Sequence, residues 1–352
     1  MTPPFPTTDF ESIQGGSWTQ FDGPETIFKS NFRIKPLSLS TFQNYWLIDE
    51  EKGLWGYMIY DRSRRAWHTI RTSGTIIELN HPDEILIASQ NSAMIYNLQD
   101  QSSTPVPPVP YKSGRNASAI RLHNQDILFV GGVDTNESER FESRAAGAIF
   151  RVKSRTWESI PSLHKRQNSP ITLLQNGHVL VSVSTSGHDT GGDDIFDPER
   201  GEWIASIPRE VRYSSNTEYI HCSNGAVLRF GHHRERSGSS KWYRLCLLKA
   251  NTTQWIELMS SEFWSESWGG RFVRLQDQGW LAQFLHHEEN TSCKGPRACS
   301  CWTLVGFENG QVKCKHIPAF DSVSRIHSIF QLGERGICLY SRNEKVFQLY
   351  EW

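Results

Sequence analysis

The chain has no apolar run near the ~20 residues that a membrane-crossing helix needs, so nothing in it reads as a transmembrane segment. Its opening, Met1 to Phe10, holds prolines and an acid where a secretion signal needs a basic start and an apolar stretch, so no signal peptide is read there. Cysteine is missing from the first half. All seven fall between Cys222 and Cys338, an odd and scattered set that makes no disulfide framework. A reducing, cytoplasmic setting is therefore expected, in which the Asn-x-Ser/Thr triplets at Asn116, Asn136, Asn251 and Asn290 are chance matches. An excess of either charge is absent too. A net charge of -1 gives no overall field to hold a polyanion, which disfavours nucleic acid as a partner, although a local basic patch remains open. Neither a Gly-rich phosphate loop of the Walker kind nor a Gly-x-Ser-x-Gly elbow occurs.

What the chain does have is aromatic: 13 Trp, 18 Phe and 10 Tyr against 4 Met, a balance that favours sheets packed on large flat side chains. These aromatics recur in a phrase made of an aromatic or leucine, six polar or turn residues, and a tryptophan. It reads YDRSRRAW at Tyr60 to Trp67, FRVKSRTW at Phe150 to Trp157, FDPERGEW at Phe196 to Trp203 and LKANTTQW at Leu248 to Trp255. The constant spacing predicts a hairpin, with Asp, Asn, Ser or Gly turning the chain and the Trp anchoring the next strand. Upstream lies a second hairpin of two apolar strands about a short turn, as in AIRLHNQDILFVGG at Ala119 to Gly132 and ITLLQNGHVLVSV ending at Val183. Further copies end at Asp49, Ser89, His233, His287 and Ser341.

Four strands per copy, repeated every ~40 to 50 residues, predict propeller blades, because one small sheet cannot bury both faces unless others stack on it. The expected fold is all-β: a single domain over residues 1–352 with seven blades, or six if one copy is miscounted. The blades are placed at 32–70, 71–110, 114–161, 166–208, 212–258, 268–318 and 324–352. The last stops after three strands, and SWTQF at Ser17 to Phe21 supplies its fourth within 17–23, closing the last blade and hiding both free edges.

Gly131-Gly132 after a second strand, the Phe196 to Pro198 turn and the spaced tryptophans resemble the kelch-repeat family. The match is loose: one copy keeps the double glycine, and the copies around Tyr96 and Phe307 lack the downstream Trp. The resemblance implies that the connections between second and third strands, with the links between blades, open on one face where ligand sites gather. It does not fix a function, since kelch propellers serve as scaffolds, glycan-handling proteins and enzymes. The Glu-x3-Asp-x3-His iron motif of the kelch-like plant specifier proteins is absent, and no pattern here resembles the Cys, Tyr and two His set of a copper radical oxidase.

On that face the third to sixth copies carry long connections, which supply function on a rigid frame at little entropic cost. Two of them follow histidine pairs, His232-His233 and His286-His287, in what the copies suggest are equivalent places. With His188, and Asp189 or Glu288 alongside, they are candidate ligands for a divalent metal, zinc or iron(II). Alternatively they are exposed loop residues. His188 and Asp189, near Asp193 and Asp194, and His232 with His233 are also candidates for acid/base catalysis. Cys293, Cys299 and Cys301, with Cys314 on the next strand, offer a structural zinc site, a disulfide or simply reduced thiols. Arg71, Arg115, Arg166 and Arg212 precede first strands, where they are candidates for binding a carboxylate, a phosphate or an acidic peptide, or else for satisfying groups between blades.

Three functions follow. The leading one is a binding module that takes a protein segment or a small polar, anionic ligand on the long-loop face. A metal-assisted lyase, isomerase or cyclase using the same face is the alternative. The third is a lectin stacking Trp264, Trp268 and Trp280 on sugar rings, against which stands the use of those tryptophans in blade packing.

Overall fold

The computed structural model describes residues 8, 11, 13, 17–21, 35–37, 43–49, 54–61, 66–72, 74–81, 83–89, 91–111, 117–131, 147–161, 171–182, 193–207, 213–234, 241–262, 272–275, 279–286, 299–308, 311–317, 328–331, 336–341 and 346–351. Among them the chain forms seven four-stranded sheets, six of them hydrogen-bonded in sequence order. The first is Lys35–Leu37, Gln43–Asp49, Leu54–Asp61 and Ala66–Arg71. The second is Thr75–Glu78, Glu84–Ala88, Ala93–Asn97 and Ser103–Val106. Ser118–Arg121, Ile127–Val130, Gly147–Arg151 and Thr156–Ile160 make the third, and Ile171–Leu173, Val179–Ser182, Asp193–Asp197 and Glu202–Ile207 the fourth. The fifth is Tyr213–His221, Val227–Arg234, Lys241–Leu248 and Trp255–Glu262. The sixth is Phe272–Leu275, Gly279–His286, Cys299–Glu308 and Gln311–Ile317. Ser328–Gln331, Gly336–Ser341 and Val346–Glu351 make the seventh, whose fourth strand is Ser17–Phe21, antiparallel to Val346–Glu351 with Ser17 opposite Glu351 and Phe21 opposite Phe347.

The chain divides into two compact units, Thr72–Thr217 with Asn251–Gln254, and the remainder, Met1–Arg71, Glu218–Ala250 and Trp255–Trp352. In the first of these, the third sheet is covered on both faces. Ile127 and Phe129 pack on the second sheet with Ile77, Leu86 and Val106, while Leu128 and Val130 pack on the fourth with Val179, Val181 and Phe196. That is why Ile127–Val130 reads as an unbroken apolar run: alternate side chains enter different cores, and all four are buried. Each such side chain contributes roughly 1.5 to 3 kcal/mol by leaving water. In the other unit, Phe230, Leu245 and Leu247 of the fifth sheet pack on Trp280, Val305 and Phe307 of the sixth.

The turns follow from local chemistry. In three sheets the first hairpin closes through an Asn whose Oδ1 accepts the N–H two residues on, from Asp126, His178 and Ala226, at 3.1 Å each time. The next residue is Gln125 (φ 75°), Gly177 (φ 87°) or Gly225 (φ 79°), and this left-handed position makes the hairpin bulge. The recurring phrase forms the second hairpin, as its spacing predicts. Its two ends are direct cross-strand partners in every copy: Tyr60 with Trp67, Phe150 with Trp157, Phe196 with Trp203 and Leu248 with Trp255.

The indole also reaches beyond its own sheet. Trp157 Nε1 donates to the Pro107 carbonyl at 2.6 Å, and Trp203 Nε1 to the Pro161 carbonyl at 2.9 Å. Each Pro directly follows the fourth strand of the preceding sheet, so the tryptophan fastens neighbouring sheets together as well as its own hairpin.

Candidate functional site

In each of the first six sheets both hairpins lie at one end, and the connection between the second and third strands lies at the other; the seventh has the same arrangement without the second hairpin. That connection spans 131–146, 183–192, 235–240 and 287–298 in the third to sixth sheets, against 50–53, 89–92 and 342–345 in the first, second and seventh. The short second-sheet link is tied off internally, Ser89 N–H donating to the Ser92 carbonyl at 2.8 Å and Ser89 Oγ to the same oxygen at 3.0 Å.

In the unit holding the third and fourth sheets, the last rungs before the long connections are Val130 opposite Gly147 and Ser182 opposite Asp193. Gly147 cannot be larger, because a Cβ would meet Ile160 Cδ1 at 2.7 Å and the Phe129 carbonyl at 2.9 Å. Asp193 (0% exposed) and Asp194 (1%) are buried beside Ser182 (2%), and all three engage neighbouring groups. Adjacent strand residues point to opposite faces, so the two carboxylates serve different faces of the fourth sheet. Burying ionisable groups is costly without partners, which makes this rim a built feature. It adjoins the segment that carries His188 and Asp189, both outside the described residues.

Tyr111 lies on the link between the second and third sheets at this same end, where Val109 N–H donates to the Ser89 carbonyl at 3.4 Å. Its ring packs on the core between those sheets. Its hydroxyl is covered and has no hydrogen-bond partner among the described residues, and burial pushes its pKa well above the usual phenol range. Nothing in the sequence pointed to it, since a lone Tyr after a Val-Pro pair carries no pattern.

In the other unit the last rungs are Arg234 opposite Lys241 in the fifth sheet and His286 opposite Cys299 in the sixth. His232 and His233 lie on the second strand opposite Tyr243 and Trp242. Counted from the tight turn, where Gly279 holds the place of Ala226, His286 takes the register position of His233 and Leu285 that of His232. The two pairs are thus offset by one residue. His287, Cys293 and Glu288 lie outside the described residues, as do Arg115, Arg166 and Arg212. Arg71 ends the fourth strand of the first sheet, opposite Gly56. Cys301 stands opposite Phe284, and Cys314 opposite Val305 on the fourth strand of the sixth sheet. Cys222, Cys246 and Cys314 are not disulfide-bonded, and partial burial raises the pKa of Cys314. Among the described residues no group of three His, Cys, Asp or Glu is arranged to hold a metal ion.

The lectin expectation fails at Trp280. It is 0% exposed, stacked on Phe230 at 5.3 Å and edge-on to Phe307 at 6.2 Å, so it cannot meet a sugar ring. Trp264 and Trp268 lie outside the described residues. A feature the sequence hid is Arg229, 2% exposed, with its guanidinium carbon 3.8 Å from the Trp255 ring centroid. It takes the register position that Phe129 takes against Trp157 in the third sheet.

No family model matches the chain, and no curated protein matches it. Solved structures similar to it include a fungal alcohol oxidase in complex with copper (TM-score 0.57, 9% identity, covering 96% of this chain and 76% of that one). An oligogalacturonate lyase from Vibrio parahaemolyticus matches with a TM-score of 0.56 and 8% identity over 96% of each chain. Kuenenia stuttgartiensis hydrazine synthase matches with a TM-score of 0.52 and 11% identity, covering 78% of this chain and 75% of that one. These are β-propeller-type folds, and together with the seven sheets they make this chain all-β and β-propeller-like. Among the described residues no helix is long and apolar enough to cross a membrane.

Proposed function

We propose that the chain is a seven-bladed, kelch-like propeller closed by its N-terminal strand, and that it works in the cytoplasm as a binding module. Its ligand is a polar molecule bearing negative charge, either a small carboxylate or phosphate or an acidic side chain on a protein segment. The carrying observation is the asymmetry of the sheets: four consecutive ones lengthen the connection at the same end while the other three keep it minimal. Arg115, Arg166 and Arg212, which in sequence fall between the fourth strand of one sheet and the first strand of the next, are the proposed cationic partners. The test is calorimetric titration with phosphate, a dicarboxylate and an acidic peptide, repeated on an Arg115→Ala, Arg166→Ala, Arg212→Ala variant. Binding of one of these anions, lost in the variant, supports the reading. If none binds, or if the variant binds as well as the parent, the reading falls.

A second reading, a metal-assisted lyase, isomerase or cyclase, is favoured by a separate observation. His233 and His286 share a register position near the long-loop ends of two sheets that pack on each other, with Cys299 opposite His286. Imidazole and thiolate suit zinc, and imidazole also suits iron(II). Neighbouring folds bear the names of an oxidase, a lyase and a synthase, so this architecture hosts catalysis as well as binding. Stoichiometric zinc or iron in the purified protein, lost in His233→Ala and His286→Ala, is the expected result. A protein purified without metal that takes up neither zinc nor iron(II) excludes it.

A further inference from the structure

Three points anchor the N-terminal segment ahead of the first sheet, all within one compact unit. Thr8 is buried against the sixth sheet: its N–H donates to the Phe307 carbonyl at 2.9 Å, and Phe307 N–H donates to Thr8 Oγ1 at 2.8 Å. Phe307 lies one residue past Gly306 opposite Gly279, the last rung with the second strand, so Thr8 extends the ladder where that strand ends. Gly306 makes the seat. Any side chain there would overlap Thr8, whose Cβ and Cγ2 would lie 2.7 Å from an added Cβ. Ile13 is 0% exposed, and Ser17–Phe21 then pairs residue for residue with Phe347 to Glu351 of the last strand in the seventh sheet.

We propose that the segment anchored at Thr8, Ile13 and Ser17–Phe21 is an exchangeable strap, and that the strip which Thr8 and Ser17–Phe21 cover on the sixth and seventh sheets docks the same segment of a second copy of this chain. Three physical features carry this. Thr8 bonds Phe307 across 299 positions and Ser17–Phe21 pairs with the last strand, so both anchors grip the far end of the chain rather than its own neighbourhood. The recognition there is backbone pairing plus a glycine seat for a small β-branched hydroxyl residue, chemistry indifferent to which copy supplies the strand. Finally, in sequence the stretch between Phe21 and Lys35 alone joins the strap to the first sheet, and a stretch of that length can span roughly 40 Å when fully extended. Exchange of an identical element between copies is a low-cost route to a dimer, because the pairing a strap gives up within one chain is re-formed between two.

The register supplies the test. Thr19 stands opposite Leu349, so the double variant Thr19→Cys, Leu349→Cys records which chain the strap occupies once it is oxidised. Incubation at low concentration before oxidation should give an intrachain link. At high concentration a covalent dimer should appear on non-reducing gels, and neither single variant should give it. Excess synthetic peptide of residues 1–21 should suppress that dimer, and the same peptide with Thr8→Val should need roughly tenfold more, the cost of one buried hydrogen bond. Intrachain linkage alone at every concentration overturns the proposal, as does equal suppression by a scrambled peptide. If the double variant fails to fold, light scattering of the unmodified chain decides: a dimer that grows with concentration and is dispersed by the peptide supports exchange, and a monomer throughout refutes it.

Discussion

The two ends of the sheets are built on different terms. At the tight-turn end the same solution recurs: Asn124, Asn176 and Asn224 each bond two residues ahead, and a left-handed residue follows. Charges there are neutralised across the hairpins. Asp126 takes Arg151 Nη1 at 2.8 Å and Val152 N–H at 3.0 Å, so Asp126 foremost, with Glu158, raises the Arg151 pKa. The fourth sheet makes the same link with other residues, His178 Nε2 lying 3.7 Å from Asp197. At the opposite end of the third and fourth sheets the described rungs differ: one is Val130 with Gly147, the next Ser182 with a buried Asp193. One end is constrained by folding and varies little from sheet to sheet, while the other differs between sheets, as the end bearing the proposed binding site would.

The sharpest way to break the constrained end is Gly279→Ala. Gly279 has φ +155°, and an added Cβ would overlap the Val305 carbonyl, a backbone atom that cannot rotate away. Strain and overpacking together should cost about 3 kcal/mol, read as a lower denaturant midpoint. A loss under about 1 kcal/mol would show that the sixth-sheet turn tolerates far more than this geometry allows.

Next in size is Trp157→Phe. Phenylalanine keeps much of the packing against Phe129 and Phe150 but forfeits the bond to the Pro107 carbonyl, so the expected loss is about 1 to 1.5 kcal/mol. Trp203→Phe should match it, since Trp203 makes the corresponding bond to Pro161. Unequal losses would mean that the two tryptophans do not act as the same fastener.

These residues also show how far the sequence could be read. The aromatic-to-Trp spacing announced the hairpins because both partners sit on one local loop, and the register of Phe196 with Trp203 follows directly. The Trp-to-Pro bonds were present only as prolines after Val106 and Ile160, meaningless until neighbouring sheets come together. Trp280 was open to reading as a sugar platform or as blade packing, because a tryptophan's face is the same in a core or on a surface, and the core position settles it as packing. Arg229 was invisible for the opposite reason, a charge at a position whose counterpart, Phe129, is apolar. Thr8 and Ile13 carry no periodicity, and the partner of Thr8 lies at the other end of the chain. Of the candidate site, the unequal lengths of the connections were legible. The burial of Asp193 and Asp194 and the covered hydroxyl of Tyr111 were not, because burial is a property of the assembled sheets.

Tyr111→Phe tests the freer end without touching its loops. The covered hydroxyl has no partner among the described residues, so its removal should raise stability by about 1 kcal/mol at neutral pH. The phenol pKa is raised on folding, so the neutral form is favoured in the folded state. The cost of the buried hydroxyl is therefore constant below the unfolded pKa near 10 and grows as pH rises from there towards the higher folded value, because only the unfolded phenol ionises in that range. Absorbance titration should accordingly show one late-ionising tyrosine fewer in the variant, and an unchanged titration would mean that the hydroxyl reaches water.

The smallest effect on stability should come from the largest change, replacement of residues 184–191 by two glycines. Each halving of a flexible loop returns only about 0.6 kcal/mol of closure entropy, so the fold should gain or lose less than about 1 kcal/mol while anion binding disappears. Such a split between stability and binding is what separates the two ends, because the same number of residues cut from a tight hairpin would unpair two strands. A loss above about 2 kcal/mol would instead make this segment part of the packing that holds Asp193 and Asp194, and the fourth sheet's long connection would then belong with the constrained end.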